Sequence, residues 1–250
     1  MPLQTHKEAA DTLRADTTMP LRPVPFQTVG QAKAGALLGT LDLAPMFVRD
    51  YPDNGFYGDN HYRIEFIFTE MIRSAKDPML YTVKGKNRFK KTVTAFEGTI
   101  RILGVREFAD PNLDTAEIND LEFLKTYALA GDFDLAEDTT LATSGRMQGT
   151  FTMEFGTKKD GSCELWFFTN DTPSKGSGLR FDGNWTGYKK ADLVKPLVWS
   201  RDLFRFANDI LEGFSYGERE VEINPKYRKL GWDNFWDGEE WWNEGAKKTL

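Results

Sequence analysis

The segment MQGTFTMEF, residues 147–155, is the strongest constraint on what this chain can fold into. Met147, Gly149, Phe151, Met153 and Phe155 fall on one side of an extended backbone, and Gln148, Thr150, Thr152 and Glu154 on the other. Successive side chains of a strand point to opposite faces, so the spelling fits a strand with one face in a core and one in water. A helix would scatter the same apolar residues around its circumference. YRIEFIFTEMI repeats the pattern with Ile64, Phe66 and Phe68, and TVTAFEGTIRILGV with Phe96, Gly98, Ile100 and Ile102. FLKTYALAGDFDLAE continues in extended form, and KKDG turns the chain into SCELWFF.

LRFDGNWTGY places Phe181, Gly183, Trp185 and Gly187 on one face. Glycines inside strands mark sharp bending or close backbone approach. Repeated hairpins with such glycines predict a mainly β, antiparallel, strongly curved sheet, closed into a barrel or folded as a sandwich; closure would also remove exposed edges. LYTVKGKNRFKKTVTAF reads as a hairpin with its tip at Gly85–Asn87, which puts Lys84, Lys86, Arg88, Lys90 and Lys91 at that tip. A single late helix is expected over 201–213, capped by Ser200, with Leu203, Phe206, Ile210 and Phe214 as its apolar stripe.

The polar segment 1–23, ending among Pro20, Pro23 and Pro25, predicts an extended arm ahead of one β domain over 24–250. At 250 residues with 40% apolar and 14% aromatic content, the chain has ample material for a core. A net charge of −6 implies solubility and weighs against broad nucleic-acid or anionic-membrane attraction, leaving room for a local basic patch. The lone Cys163 excludes an internal disulfide. No run of eighteen apolar residues suggests a transmembrane segment, and the N-terminal segment lacks the apolar stretch of a secretory signal; the expectation is a cytoplasmic protein or one whose signal has been removed.

The hairpin succession, the late helix and the F-x-G-x-W spelling of Phe181-Asp182-Gly183-Asn184-Trp185 together resemble a calycin-type barrel, the group of lipocalins and fatty-acid-binding proteins. Over roughly residues 36–215, the resemblance implies a barrel whose interior holds an apolar small molecule. The alternating faces nominate Phe151, Met153, Phe181 and Trp185 as ligand-binding residues. No cofactor or metal is expected, and no nucleic acid as partner. A second reading keeps the scaffold and adds cofactor-independent isomerase or cyclase chemistry, which needs a buried carboxylate or tyrosine facing the pocket.

Other motifs carry less. Gly213-Phe214-Ser215-Tyr216-Gly217 matches a nucleophile elbow, but a helix is expected before the serine, and His6 and His61, the two histidines of the chain, both precede it. Asp110-x-Asn112-x-Asp114 opens like a calcium loop, yet Thr115 and Leu121 stand where glycine and glutamate belong. Asp59 and His61 could share a strand face but lack further ligands. Asn170-Asp171-Thr172 and Asn184-Trp185-Thr186 match the glycosylation pattern without establishing export. Glu97 and Arg101 share a strand face that points away from the core.

GWDNFWDGEEWWNE, residues 231–244, gathers four of seven tryptophans beside acids. Large indoles contribute most when buried, so this segment is expected to cover apolar surface at an open end of the domain. The alternative is a carbohydrate- or protein-binding surface centred on Trp232–Trp242, which would require exposed, coplanar indoles.

Overall fold

The alternating segments form strands that hydrogen-bond in chain order. The computed structural model describes residues 26–108, 123–166, 172–190 and 192–243. The arm expected at 1–23 and the calcium-like loop lie outside these residues. The strands are β1 (Phe26–Val29), β2 (Asp53–Tyr57), β3 (Tyr62–Arg73), β4 (Leu80–Phe89), β5 (Thr92–Phe108), β6 (Lys125–Glu137), β7 (Gly145–Thr157), β8 (Cys163–Leu165), β9 (Leu179–Gly187), β10 (Val194–Ser200), β11 (Phe214–Tyr216) and β12 (Val221–Ile223).

Strands β2 to β7, then β9 and β10, pair antiparallel in succession, and β10 returns to pair with β2 through Leu197–Tyr57 to Ser200–Asn54. Hydrogen bonds thus run through a closed ring of eight strands. The ring is irregular, because β2 has 5 residues and β5 has 17, and bulges interrupt β3 near Phe68 and β5 near Ile102. Each bulge shifts the phase of alternation, which is why Met71 and Val105 resume the buried face. β1 and β8 add short edges beside β5 and β7.

The interior holds Trp199 between two phenyl rings, Phe66 at 4.3 Å and Phe181 at 4.4 Å. Helix α1 (Gln31–Thr40) and the single turn α2 (Ala44–Phe47) send Leu38, Met46 and Phe47 into this core, where Phe47 meets Phe68, Phe151 and Phe181 edge-on. At that end Asp53 accepts from Arg49 and Arg201, both at 2.8–2.9 Å, and Arg201 also donates to the Met46 carbonyl, so the plug is tied to the strand ends. One end of the ring is therefore filled. Curvature requires glycine where strands approach: Gly149 and Gly183 face each other across β7 and β9, and a side chain on either would strike the opposite backbone.

Two expectations are corrected. The hairpin tip is not at Gly85–Asn87; β4 runs on to Phe89, and Lys90–Lys91 make the two-residue turn, with Lys90 at φ +57. Gly85 is in mid-strand because the Phe96 ring lies where its side chain would project. Lys84, Lys86 and Arg88 consequently stand on the outer wall, and only Lys90 and Lys91 sit at the tip. The late helix is also reduced, to a 3-10 turn at Leu203–Arg205 and the single turn α3 (Ala207–Ile210). Phe206 leaves the helical region at φ −131, and Ser200 belongs to β10 and makes no cap. Burial of Leu203, Phe204 and Phe206 together outweighs the helical spacing.

That burial belongs to a second cluster, on the outer wall. Phe56 points outward from β2 and packs with Leu203, Phe204, Phe206, Phe214, Tyr227 and Trp232. Trp232 is only 2% exposed, so it is a packing residue, and the surface it covers is the wall rather than an end. Trp236 is 52% exposed and the rings of Trp241 and Trp242 stand at 88° to each other, so the four indoles make no coplanar platform. Beneath the same segment Glu65 accepts from Arg63 at 3.0 Å and Arg88 at 2.6 Å. Arg63 continues to Asn54 and Asn234, and Arg88 to Glu239.

Candidate ligand cavity at the open end of the ring

Because the strands run alternately up and down, the end opposite the plug collects the close of β2, β4, β6 and β9 and the start of β3, β5, β7 and β10. A cavity of about 520 Å³ lies there. Tyr57, Ile64, Phe89, Trp185 and Leu193 supply its apolar lining, and Asn87, Thr94, Glu137 and Ser144 its polar groups. Lys90, Lys189 and Lys190 border it. Apolar walls with a few convergent polar groups are the usual make-up of a small-molecule site.

Glu137 organises the polar part. It closes β6 in phase with Phe133 and Leu135, so alternation turns its carboxylate inward. One oxygen accepts from Asn87 Nδ2 at 2.6 Å, and the other from the Gly145 backbone N–H at 2.7 Å and Trp185 Nε1 at 2.8 Å. Asn87 reaches the same place because it follows Tyr81, Val83 and Gly85 on the inward face of β4. Neutral donors surround the carboxylate, and no cation is among the hydrogen-bond partners of its side chain in the described residues.

The phenol of Tyr57 packs against Phe89 at 4.7 Å and Trp185 at 5.8 Å. Burial, and secondarily the negative charge of Glu137, push its pKa well above the ordinary phenol value, so it stays a protonated donor at neutral pH. Ser144 is 3% exposed, and its hydroxyl has no hydrogen-bond partner among the described residues. A buried hydroxyl in a cavity wall is available to a ligand or to water.

Of the four residues nominated from sequence, Trp185 lines this cavity. Phe151, Met153 and Phe181 are buried in the interior, where Phe151 and Phe181 lie against the Phe47 plug, and they do not line this cavity. The structure brings Trp185 together instead with Tyr57, Phe89, Asn87, Glu137 and Ser144. Alternation on β4 and β6 carries the signal for Asn87 and Glu137; nothing local marks Ser144.

The remaining candidates separate. Asp59 faces Lys195 at 3.6 Å while His61 packs edge-on against Phe56, and among the described residues no three His, Cys, Asp or Glu side chains gather as a metal site. Ser215 lies in β11 opposite Glu222. Glu97 points outward, as its strand face predicts. Comparison with protein-family models, curated proteins and solved structures finds no match for this chain.

Proposed function

We propose that the protein binds a hydrophobic small molecule in the open-end cavity, with Trp185 in its wall. The observation that carries this reading is the asymmetry of the ring: one end is filled by α1 and α2, and the other keeps about 520 Å³ behind aromatic and aliphatic walls. Burial of an apolar ligand would supply the affinity, and Tyr57, Ser144 and Glu137 would orient any polar group it carries. The closed up-and-down ring is in keeping with the lipocalin-like pattern of the sequence. Native mass spectrometry of freshly purified protein tests the proposal by looking for a co-purified molecule. An apolar probe should also change tryptophan emission, and Trp185→Phe should reduce that change; binding indifferent to Trp185 and Phe89 would move the site elsewhere.

A second reading, as a cofactor-independent isomerase or cyclase, is favoured by one feature. A buried carboxylate and a protonated phenol face the same apolar cavity, the pairing that proton abstraction and return would use. Glu137→Gln separates the two: a binding protein keeps its ligand affinity, and an enzyme loses turnover while retaining affinity.

A further inference from the structure

On the outer wall, beside the turn between β4 and β5, two distant parts of the chain enclose a cleft of about 380 Å³. Arg63 and Glu65 reach it from β3 and Arg88 from β4, and Glu65 and Arg88 stand opposite each other in the ladder. Lys90 and Lys91 border it from the turn. The facing side is the 3-10 turn Pro225–Leu230 with the residues after it, which bring Arg228, Lys229 and Asp233. Burial of Tyr227 and Trp232 and the 3.0 Å hydrogen bond from Arg63 to Asn234 hold that side against the wall. The lining therefore carries six cations and two carboxylates.

The two carboxylates do not cancel this charge. Glu65 is held between Arg63 and Arg88, and Asp233, with Asp237 nearby, acts on Arg63. Arg63 is committed to Asn54, Glu65 and Asn234. Arg88 gives Nε to Glu65 and Nη1 to Glu239, and its Nη2 has no acceptor among the described residues. Lys90 lies over the rings of Tyr62 and Phe89. Lys91, Arg228 and Lys229 are exposed and form no ion pair among the described residues. A phosphoryl group carries about two negative charges and three acceptor oxygens, which suits a guanidinium fork and several point charges at once, where a carboxylate would satisfy fewer of them. We propose that this cleft binds the phosphoryl group of a small phosphate monoester or diphosphate, held by Lys91, Arg228 and Lys229 with Arg88 at its floor. Asp233 and Glu239 flank the site and repel an extended polyanion, so the ligand is a compact one. Tyr62 and Leu230 offer apolar surface to the rest of it.

Isothermal titration calorimetry of the full chain at low ionic strength tests this, with inorganic phosphate and inorganic pyrophosphate as probes and acetate as the carboxylate control. Pyrophosphate is expected to bind more tightly than phosphate, and acetate to give no saturable heat. Arg228→Ser with Lys229→Ser should weaken pyrophosphate by at least about tenfold, because two charge-assisted contacts are lost together. Both side chains are exposed, so the melting temperature of that variant should stay near the wild-type value. Lys91→Ser should weaken binding as well. Lys189→Ser with Lys190→Ser, at the mouth of the open-end cavity, should leave it unchanged. No saturable heat with pyrophosphate, equal binding of acetate, or affinity indifferent to Arg228 and Lys229 would overturn the proposal. So would a loss confined to the Lys189/Lys190 variant, which would move the anion to the cavity mouth. Heparin binding that depends on Arg228 and Lys229 and that pyrophosphate does not displace would make the cleft a polyanion surface instead. Binding of an apolar probe, followed by tryptophan emission, reports separately on the cavity and should survive all three variants.

Discussion

The indole N–H of Trp185 on β9 reaches a carboxylate oxygen of Glu137 on β6 at 2.8 Å, over the intervening strand β7. Asn87 on β4 reaches the other oxygen over β5. One carboxylate therefore straps strands that are not neighbours in the sheet. Glu137→Leu should destabilise the fold by about 3 kcal/mol, because several buried donors lose their acceptor together, and Trp185→Phe by only about 1 to 2 kcal/mol. Urea denaturation followed by circular dichroism measures both.

The tryptophans of the C-terminal segment should differ sharply. Trp232→Ala removes a buried indole from the cluster around Phe56 and Phe214 and should cost about 3–5 kcal/mol. Trp236→Ala should change stability by less than about 0.5 kcal/mol, because that ring already meets solvent. Melting temperatures of the two variants give the comparison directly.

Under the same segment, Glu65 is the shared partner of two buried guanidinium groups. Glu65→Leu should cost about 3–5 kcal/mol, since it leaves Arg63 buried without its ion-pair partner and Arg88 with Glu239 alone. Replacing all three together, with Arg63→Met and Arg88→Met added, should be milder than Glu65→Leu alone. Chemical denaturation of the single and triple variants tests the ordering.

Glu154 makes stability depend on pH. It is fully buried on the outer face of β7 beneath residues 172–178, where burial raises its pKa to about 7 despite hydrogen bonds from Ser174 and Thr172. Its carboxyl holds a proton more tightly in the folded chain than at the ordinary value of 4.5. The resulting stabilisation is fully present below pH 4.5 and is lost as pH rises through about 7. The change amounts to roughly 3 kcal/mol. Glu154→Gln should flatten that slope, as thermal melts taken between pH 5 and pH 8 would show.

The strands were legible because one-sided burial writes itself as alternation. β7 and β9 could be read almost residue by residue, and the closed ring follows from consecutive hairpins once β10 finds β2. Gly85 misled the hairpin reading for a physical reason: the same absence of a side chain that permits a turn also makes space for the Phe96 ring. The late helix misled because Leu203, Phe206 and Ile210 satisfy helical spacing while the wall they cover demands another arrangement. α1 has little apolar periodicity to announce it and is held by burial of Ala34 and Leu38.

The site was legible only in part. Phe151 and Phe181 face inward as alternation requires, but alternation cannot distinguish an inward residue packed against a plug from one beside a void. That difference depends on Phe47, which lies more than a hundred residues earlier in the chain. Glu137 stands in phase with the core face, and a charged residue there was the available sign that the interior becomes polar toward one end.

Closure of β10 onto β2 also has a meaning for synthesis. The first wall of the ring leaves the ribosome long before the last, and Trp199, which fills the space between Phe66 and Phe181, lies on the closing strand. Until that strand emerges, the nascent sheet exposes an aromatic inner face and two unpaired edges, the condition in which chains associate with one another. The vulnerable interval in the life of this protein therefore ends with the arrival of its last ring strand, and aggregation should be most sensitive to translation speed while β10 is still inside the ribosome.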